Sequence, residues 1–105
     1  MQMRVALVED DDFTRLTVAS SLRAQGIQVV IDTGSASEAL LEFDKATPHV
    51  ALLDLHLGKG PTGIDVATAF RSKSPNIGIV FLSSFEDPRL LNPSLPPLPF
   101  RSIYL

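Results

Sequence analysis

Four short apolar runs, at residues 4–8, 27–31, 50–54 and 77–82, alternate with segments whose apolar residues recur every three or four positions. Each run has the length of a strand buried in a parallel sheet. Repeated strand–helix units admit few architectures: a parallel sheet, right-handed crossovers and helices on both faces. A chain of 105 residues suits one such domain, burying roughly 65% of the surface its unfolded form exposes.

The first strand reads as Arg4-Val5-Ala6-Leu7-Val8. Asp11 or Asp12 can cap a helix running to about Gln25, with Phe13, Leu16, Ala19, Ser20 and Leu22 as its inner stripe. Gly26 stops that helix and a β-branched strand follows at 27–31. Ser35 or Ser37 opens a second helix, in which Ala36, Ala39, Leu40 and Phe43 share one face. Pro48 breaks the chain before the third strand, which ends at Asp54. After a flexible loop carrying Gly58, Gly60, Pro61 and Gly63, a third helix is expected from about 62 or 63 to 72, with Val66, Ala67 and Phe70 inward. A fourth strand at 77–82 ends at Ser83 and Ser84.

The last quarter breaks this rhythm. Pro88, Pro93, Pro96, Pro97 and Pro99 argue against a continuous helix, so 88–101 reads as an irregular segment before a short fifth strand at 102–105.

Composition narrows the function. A net charge of −3 with no basic stripe disfavours direct nucleic-acid binding by this segment. Cysteine is absent, which removes disulfides and thiolate metal sites. No apolar stretch approaches the roughly 20 residues that span a bilayer, and the start, Met1-Gln2-Met3-Arg4, leads straight into a strand. A cytoplasmic single domain, without membrane contact, is the expectation.

The chemistry lies at the strand ends. Glu9 and Asp10 follow the first strand, Asp54 ends the third and Ser83 follows the fourth. In a doubly wound sheet of order 2-1-3-4-5, strands one and three flank the switch point where ligands bind, so these groups converge. Three carboxylates together repel unless a cation lies among them. An all-oxygen donor set favours Mg²⁺, beside which Asp54 could attack a phosphoryl group in line. The plainer alternatives are real. Glu9 to Asp12 could serve only as a helix N-terminus, as Asp11 and Asp12 are expected to, and Asp54 could be a turn former. His49 and His56 are expected to be exposed loop residues rather than ligands or bases.

Across essentially its whole length the chain resembles the receiver domain of two-component response regulators. The likeness is carried by Val8-Glu9-Asp10-Asp11, Leu52-Leu53-Asp54-Leu55-His56-Leu57-Gly58, Gly63-Ile64 and Val80-Phe81-Leu82-Ser83-Ser84. It implies a flavodoxin-like five-stranded α/β fold of order 2-1-3-4-5, with the fourth helix irregular and the fifth absent. It implies a phosphoacceptor rather than an enzyme, taking a phosphoryl group from a sensor histidine kinase onto Asp54. Asp10 would then bind Mg²⁺ directly, Glu9 mainly through metal-bound water, and the His56 backbone carbonyl would complete the protein ligands beside Asp54. Ser83 would hydrogen-bond the phosphoryl group, and Tyr104 would be the aromatic switch that turns inward. The family's lysine would fall at position 107, beyond Leu105, so residues 1–105 are expected to be a C-terminally incomplete receiver domain. Control of transcription through a missing effector domain follows by the same likeness, and homodimerisation through a sheet face left open is a further expectation.

Other classes compete less well. A haloacid-dehalogenase-type phosphatase wants a second Asp two residues after the nucleophile, where this chain has His56. A dinucleotide-binding domain wants a glycine-rich loop after strand one, where this chain has acids. A receiver-like interaction module that works without phosphorylation is the remaining alternative.

Overall fold

The protein is described by a computed structural model covering residues 2–57, 61–82 and the backbone strand 102–104. The elements follow in the order β1 (Arg4–Val8), α1 (Asp12–Ala24), β2 (Gln28–Thr33), α2 (Ala36–Ala46), β3 (Val50–Asp54), α3 (Gly63–Lys73), β4 (Gly78–Leu82) and β5 (Ser102–Tyr104). The strands form one parallel sheet of order β2-β1-β3-β4-β5, as the alternation of strand and helix patterns requires. The order reverses direction at β1, so the ends of β1 and β3 flank the switch point. Ser83 and the segment 88–101 lie outside the described residues, as do Gly58 and Gly60.

The register fixes what meets there. Val8 pairs with Leu53 on one side and with Thr33 on the other, which sets the residue after β1 beside the end of β3. A bulge between Val5 and Ala6 skips Val30 of β2, an edge strand among the described residues. The pairing carries β2 on to Thr33, past the expected end at Ile31.

Alternation along the strands divides the core. Ala6, Val8, Ala51, Leu53, Ile79 and Phe81 point to one face and are sealed by Ala39 and Phe43 of α2 and Val66, Ala67 and Phe70 of α3. The Phe43 and Phe70 rings meet at 4.3 Å between centroids, tilted by 39°, which ties the two helices together. Val5 and Leu7 face the other way and are covered by α1, while Leu52, Val80 and Leu82 on that face are only half-buried.

Each helix begins as its sequence directs. The Asp11 carboxylate accepts the Thr14 N–H at 2.8 Å, Ser35 caps α2, and Thr62 and Asp65 form a reciprocal capping box on α3. Gly26 turns the chain out of α1 at φ +80°, a conformation that suits glycine.

The structure keeps Ala19 and Leu22 of the expected inner stripe of α1 and corrects the other three residues. Phe13 and Leu16 are 77% and 64% exposed, and Ser20 is exposed too. The face turned to the sheet is Arg15, Val18, Ala19 and Leu22, at i, i+3, i+4 and i+7. Hydrophobicity alone could not place an arginine there. Arg15 occupies that face because its guanidinium finds acceptors on three sides, as described below.

Candidate phosphoacceptor site

Glu9 lies one residue past β1, Asp10 follows it, and Asp54 closes β3. The register of Val8 with Leu53 brings the three carboxylates together, with oxygens that all lie within 4.8 Å of one another. Glu9 is only 6% exposed, Asp54 is half-buried and Asp10 is open to solvent. The cluster therefore grades from the protein interior to water.

Hydrogen bonds hold the inner oxygens. Glu9 Oε1 accepts the Asp11 N–H at 3.2 Å, and the Glu9 N–H donates to the Thr33 carbonyl at 3.0 Å. Asp54 Oδ1 accepts the His56 N–H at 3.0 Å, which folds the chain back just after β3. The His56 side chain is exposed, as expected. His49 departs from that expectation: it is half-buried, and its Nδ1 accepts the Arg4 N–H at 3.0 Å at the far end of the strands.

Crowding shows in the acidities. Burial, first, pushes the Asp54 carboxyl from its ordinary 3.8 up to about 7; a hydrogen bond with Asp10 and the charges of Glu9 and Asp10 push the same way, against the His56 N–H. Glu9 is also raised, chiefly by burial and then by the Asp10 and Asp11 charges, against the Asp11 N–H and a hydrogen bond with Asp54. Asp11 moves the other way, lowered by the Thr14 side chain and amide that it caps. It serves the helix, whereas Glu9, Asp10 and Asp54 form a cluster that holds excess negative charge when fully ionised.

One constraint was not read from the sequence. A Cβ on Gly63 would stand 2.0 Å from the Asp54 carbonyl oxygen and 2.8 Å from its carbonyl carbon. Gly63, whose N–H donates to the Leu55 carbonyl at 3.3 Å, lets the start of α3 lie directly on the backbone that carries Asp54. A glycine at the first position of a helix, in place of a better helix former, was the available signal.

A family match decides what this arrangement belongs to. The response regulator receiver domain matches residues 5–95. The chain belongs to that family. This receiver domain is 30% identical over 86 residues to the response regulator protein VraR of Staphylococcus aureus strain Mu3, covering 81% of this chain and 41% of that protein. It thus spans about two fifths of the length of that relative. Among solved structures, a response regulator receiver protein from Sinorhizobium medicae superposes with a TM-score of 0.81 at 24% identity, covering 99% of this chain and 81% of that one. The response regulator PhyR from Brucella abortus superposes with a TM-score of 0.78 at 26% identity, over 93% of this chain and 40% of that one.

Of the residues singled out in the sequence, Glu9, Asp10 and Asp54 are brought together, and the His56 backbone joins them through its N–H. The backbone of Tyr104 pairs with Phe81, one residue before the end of β4, while Ser83 falls outside the described residues. Among the described residues, surface grooves also lie away from the acids. One, of about 720 Å³, is lined by Arg4, Gln28, Val30, Leu41 and Lys45 among others, and another by Arg4, Phe43, His49 and Lys73 among others; Glu9, Asp10 and Asp54 line neither of these. Among the described residues no helix is long and apolar enough to cross a membrane.

Proposed function

We propose that Asp54 is the phosphoacceptor of this receiver domain, working with Mg²⁺ held at Glu9, Asp10 and Asp54. The observation that carries the proposal is the meeting of three carboxylates at the switch point of the sheet. The donor set fits the ion. In an octahedron with Mg–O distances of about 2.1 Å, ligand oxygens stand about 3 to 4.2 Å apart, so oxygens already within 4.8 Å need only a small contraction. Asp10, which is exposed, would hold the ion directly, buried Glu9 would act mainly through metal-bound water, and the His56 carbonyl would be the backbone ligand.

Phosphoryl transfer from a phosphohistidine donor on a sensor kinase then proceeds at Asp54. An oxygen of its carboxylate forms the new bond to phosphorus as the bond to the donor nitrogen breaks. Mg²⁺ would supply charge neutralisation for the phosphoryl oxygens. The carboxylate must be ionised to attack, and a neighbouring cation reverses the upward push that Glu9 and Asp10 exert on it. The His56 N–H holds the Asp54 carboxylate in place, and Gly63 fixes its backbone. Ser83 is proposed to hydrogen-bond the phosphoryl group, and Tyr104 to report the change to an output surface. That output, control of transcription by an effector outside residues 1–105, is proposed by likeness to the family.

The test is an amide NMR titration with Mg²⁺ and beryllofluoride, which mimics the phosphoryl group. Signals of residues 9–11, 54–57 and 83 are expected to move in the wild type and to stay in place in Asp54→Asn. Unmoved signals in the wild type at saturating Mg²⁺ would remove the proposal. Binding of a protein partner equally well by Asp54→Asn would favour an interaction module that needs no phosphorylation.

A further inference from the structure

One side chain outside the acidic cluster is built into its support. Arg15, on the sheet-facing side of α1, donates from one guanidinium nitrogen to the Glu9 backbone carbonyl at 2.7 Å. Its second terminal nitrogen meets Asp12 Oδ1 at 2.9 Å, and Nε meets Asp32 Oδ1 of β2 at 3.2 Å. The other Asp32 oxygen is 3.3 Å from Arg23, further along α1. The side chain is 22% exposed, so these contacts are made with much of the guanidinium out of water. A planar fork with fixed donors suits this three-way bridge better than a lysine would.

The site of attachment matters more than the number of contacts. The Glu9 carbonyl begins the turn that leads to Asp10, so a bond to it fixes the direction in which both carboxylates leave β1. Room for the bond is kept by Gly34, just past β2. A Cβ there would stand 2.8 Å from the donating Arg15 nitrogen and 3.3 Å from the Glu9 carbonyl oxygen. Gly34 has an ordinary backbone conformation, so space, not φ, is what this glycine provides.

We propose that Arg15 is a positioning residue for the Mg²⁺ site, its guanidinium bridging Glu9, Asp12 and Asp32 to hold the Glu9–Asp10 turn in the geometry that binds the ion. The inference rests on the phosphoacceptor reading above and extends it to a residue that touches neither metal nor phosphate. It makes a prediction of sign that charge alone reverses. Removing a cation near a cation site relieves repulsion and would tighten Mg²⁺ binding. Removing a support of the ligands loosens it, and outer partners of metal ligands commonly contribute 10-fold or more, so roughly tenfold is expected here.

The experiment measures the Mg²⁺ dissociation constant by amide NMR titration of the whole chain in Arg15→Ala, Arg15→Lys, Gly34→Ala and Arg23→Ala, with amide shifts of Glu9–Asp11 recorded before metal is added. Arg15→Ala is expected to weaken binding roughly tenfold and to shift the Glu9, Asp10 and Asp11 amides without metal. Arg15→Lys should fall between it and the wild type. Gly34→Ala should weaken binding although the arginine and its charge remain. Arg23→Ala should leave the dissociation constant unchanged, because it removes only the outer end of the bridge. Equal or tighter Mg²⁺ binding by folded Arg15→Ala, or by Gly34→Ala should the first variant not fold, overturns the inference and leaves the phosphoacceptor reading intact. A wild type that binds no Mg²⁺ overturns both.

Discussion

Replacing Asp54 with Asn should stabilise the metal-free protein, and the gain should depend on pH. In the folded state the Asp54 carboxyl titrates near 7 rather than at its ordinary 3.8, because it is partly buried beside Glu9 and Asp10. Between those two values the folded protein holds a proton that the unfolded chain has released. Stability therefore falls as pH rises through this interval and levels off above about 7. At about 1.4 kcal/mol per pH unit the interval corresponds to at most about 4 kcal/mol. The carboxylate is partly open to water, and screening brings the expected contribution to about 1–2 kcal/mol. Asn carries no charge and is exempt. The assay is urea unfolding followed by circular dichroism, wild type against Asp54→Asn, from pH 5 to pH 8 in a chelator. The variant should already lead at pH 5 by roughly a third of its margin at pH 8, where it should be ahead by about 1–2 kcal/mol. Added Mg²⁺ should reverse the order at pH 8, since it stabilises only the protein that binds it. A wild-type minus variant difference that is flat across this range would refute the crowding of Asp54.

Three further outcomes test the frame around the site. Gly63→Ala should lower stability by at least about 2 kcal/mol, because its Cβ must displace the Asp54 carbonyl, and whatever folds should show a weakened response to Mg²⁺ by NMR. Phe70→Ala should cost about 3–5 kcal/mol in chemical unfolding, since a fully buried ring packed against Phe43 is lost; a loss below about 1 kcal/mol would contradict the packing of α2 on α3. His49→Ala should cost about 1 kcal/mol by removing the acceptor of the Arg4 N–H, with Mg²⁺ affinity unaltered because His49 lies at the opposite end of the sheet.

The strands were legible because burial on both faces leaves an unbroken apolar run, as in Val5-Ala6-Leu7-Val8. The acidic site was legible because a parallel sheet of this order has only one place where the ends of β1 and β3 meet. The inward face of α1 was legible only at Ala19 and Leu22. Phe13, Leu16 and Ser20 share one spacing and Arg15, Val18, Ala19 and Leu22 another. The second faces the sheet because the Glu9 carbonyl, Asp12 and Asp32 satisfy an arginine there. Those acceptors come from three separate elements, and no local pattern announces them. Gly63 was hidden for a similar reason: a loop glycine and a glycine pressed on the Asp54 carbonyl look alike in one dimension.

The phosphorylation of Asp54 itself is tested most directly by incubating the protein with Mg²⁺ and a small phosphodonor such as acetyl phosphate, then mapping the product by mass spectrometry after trapping the acyl phosphate. One phosphoryl group is expected, on Asp54, dependent on Mg²⁺ and absent from Asp54→Asn. A phosphoryl group at another residue, or none under conditions where Mg²⁺ is seen to bind, would contradict this expectation.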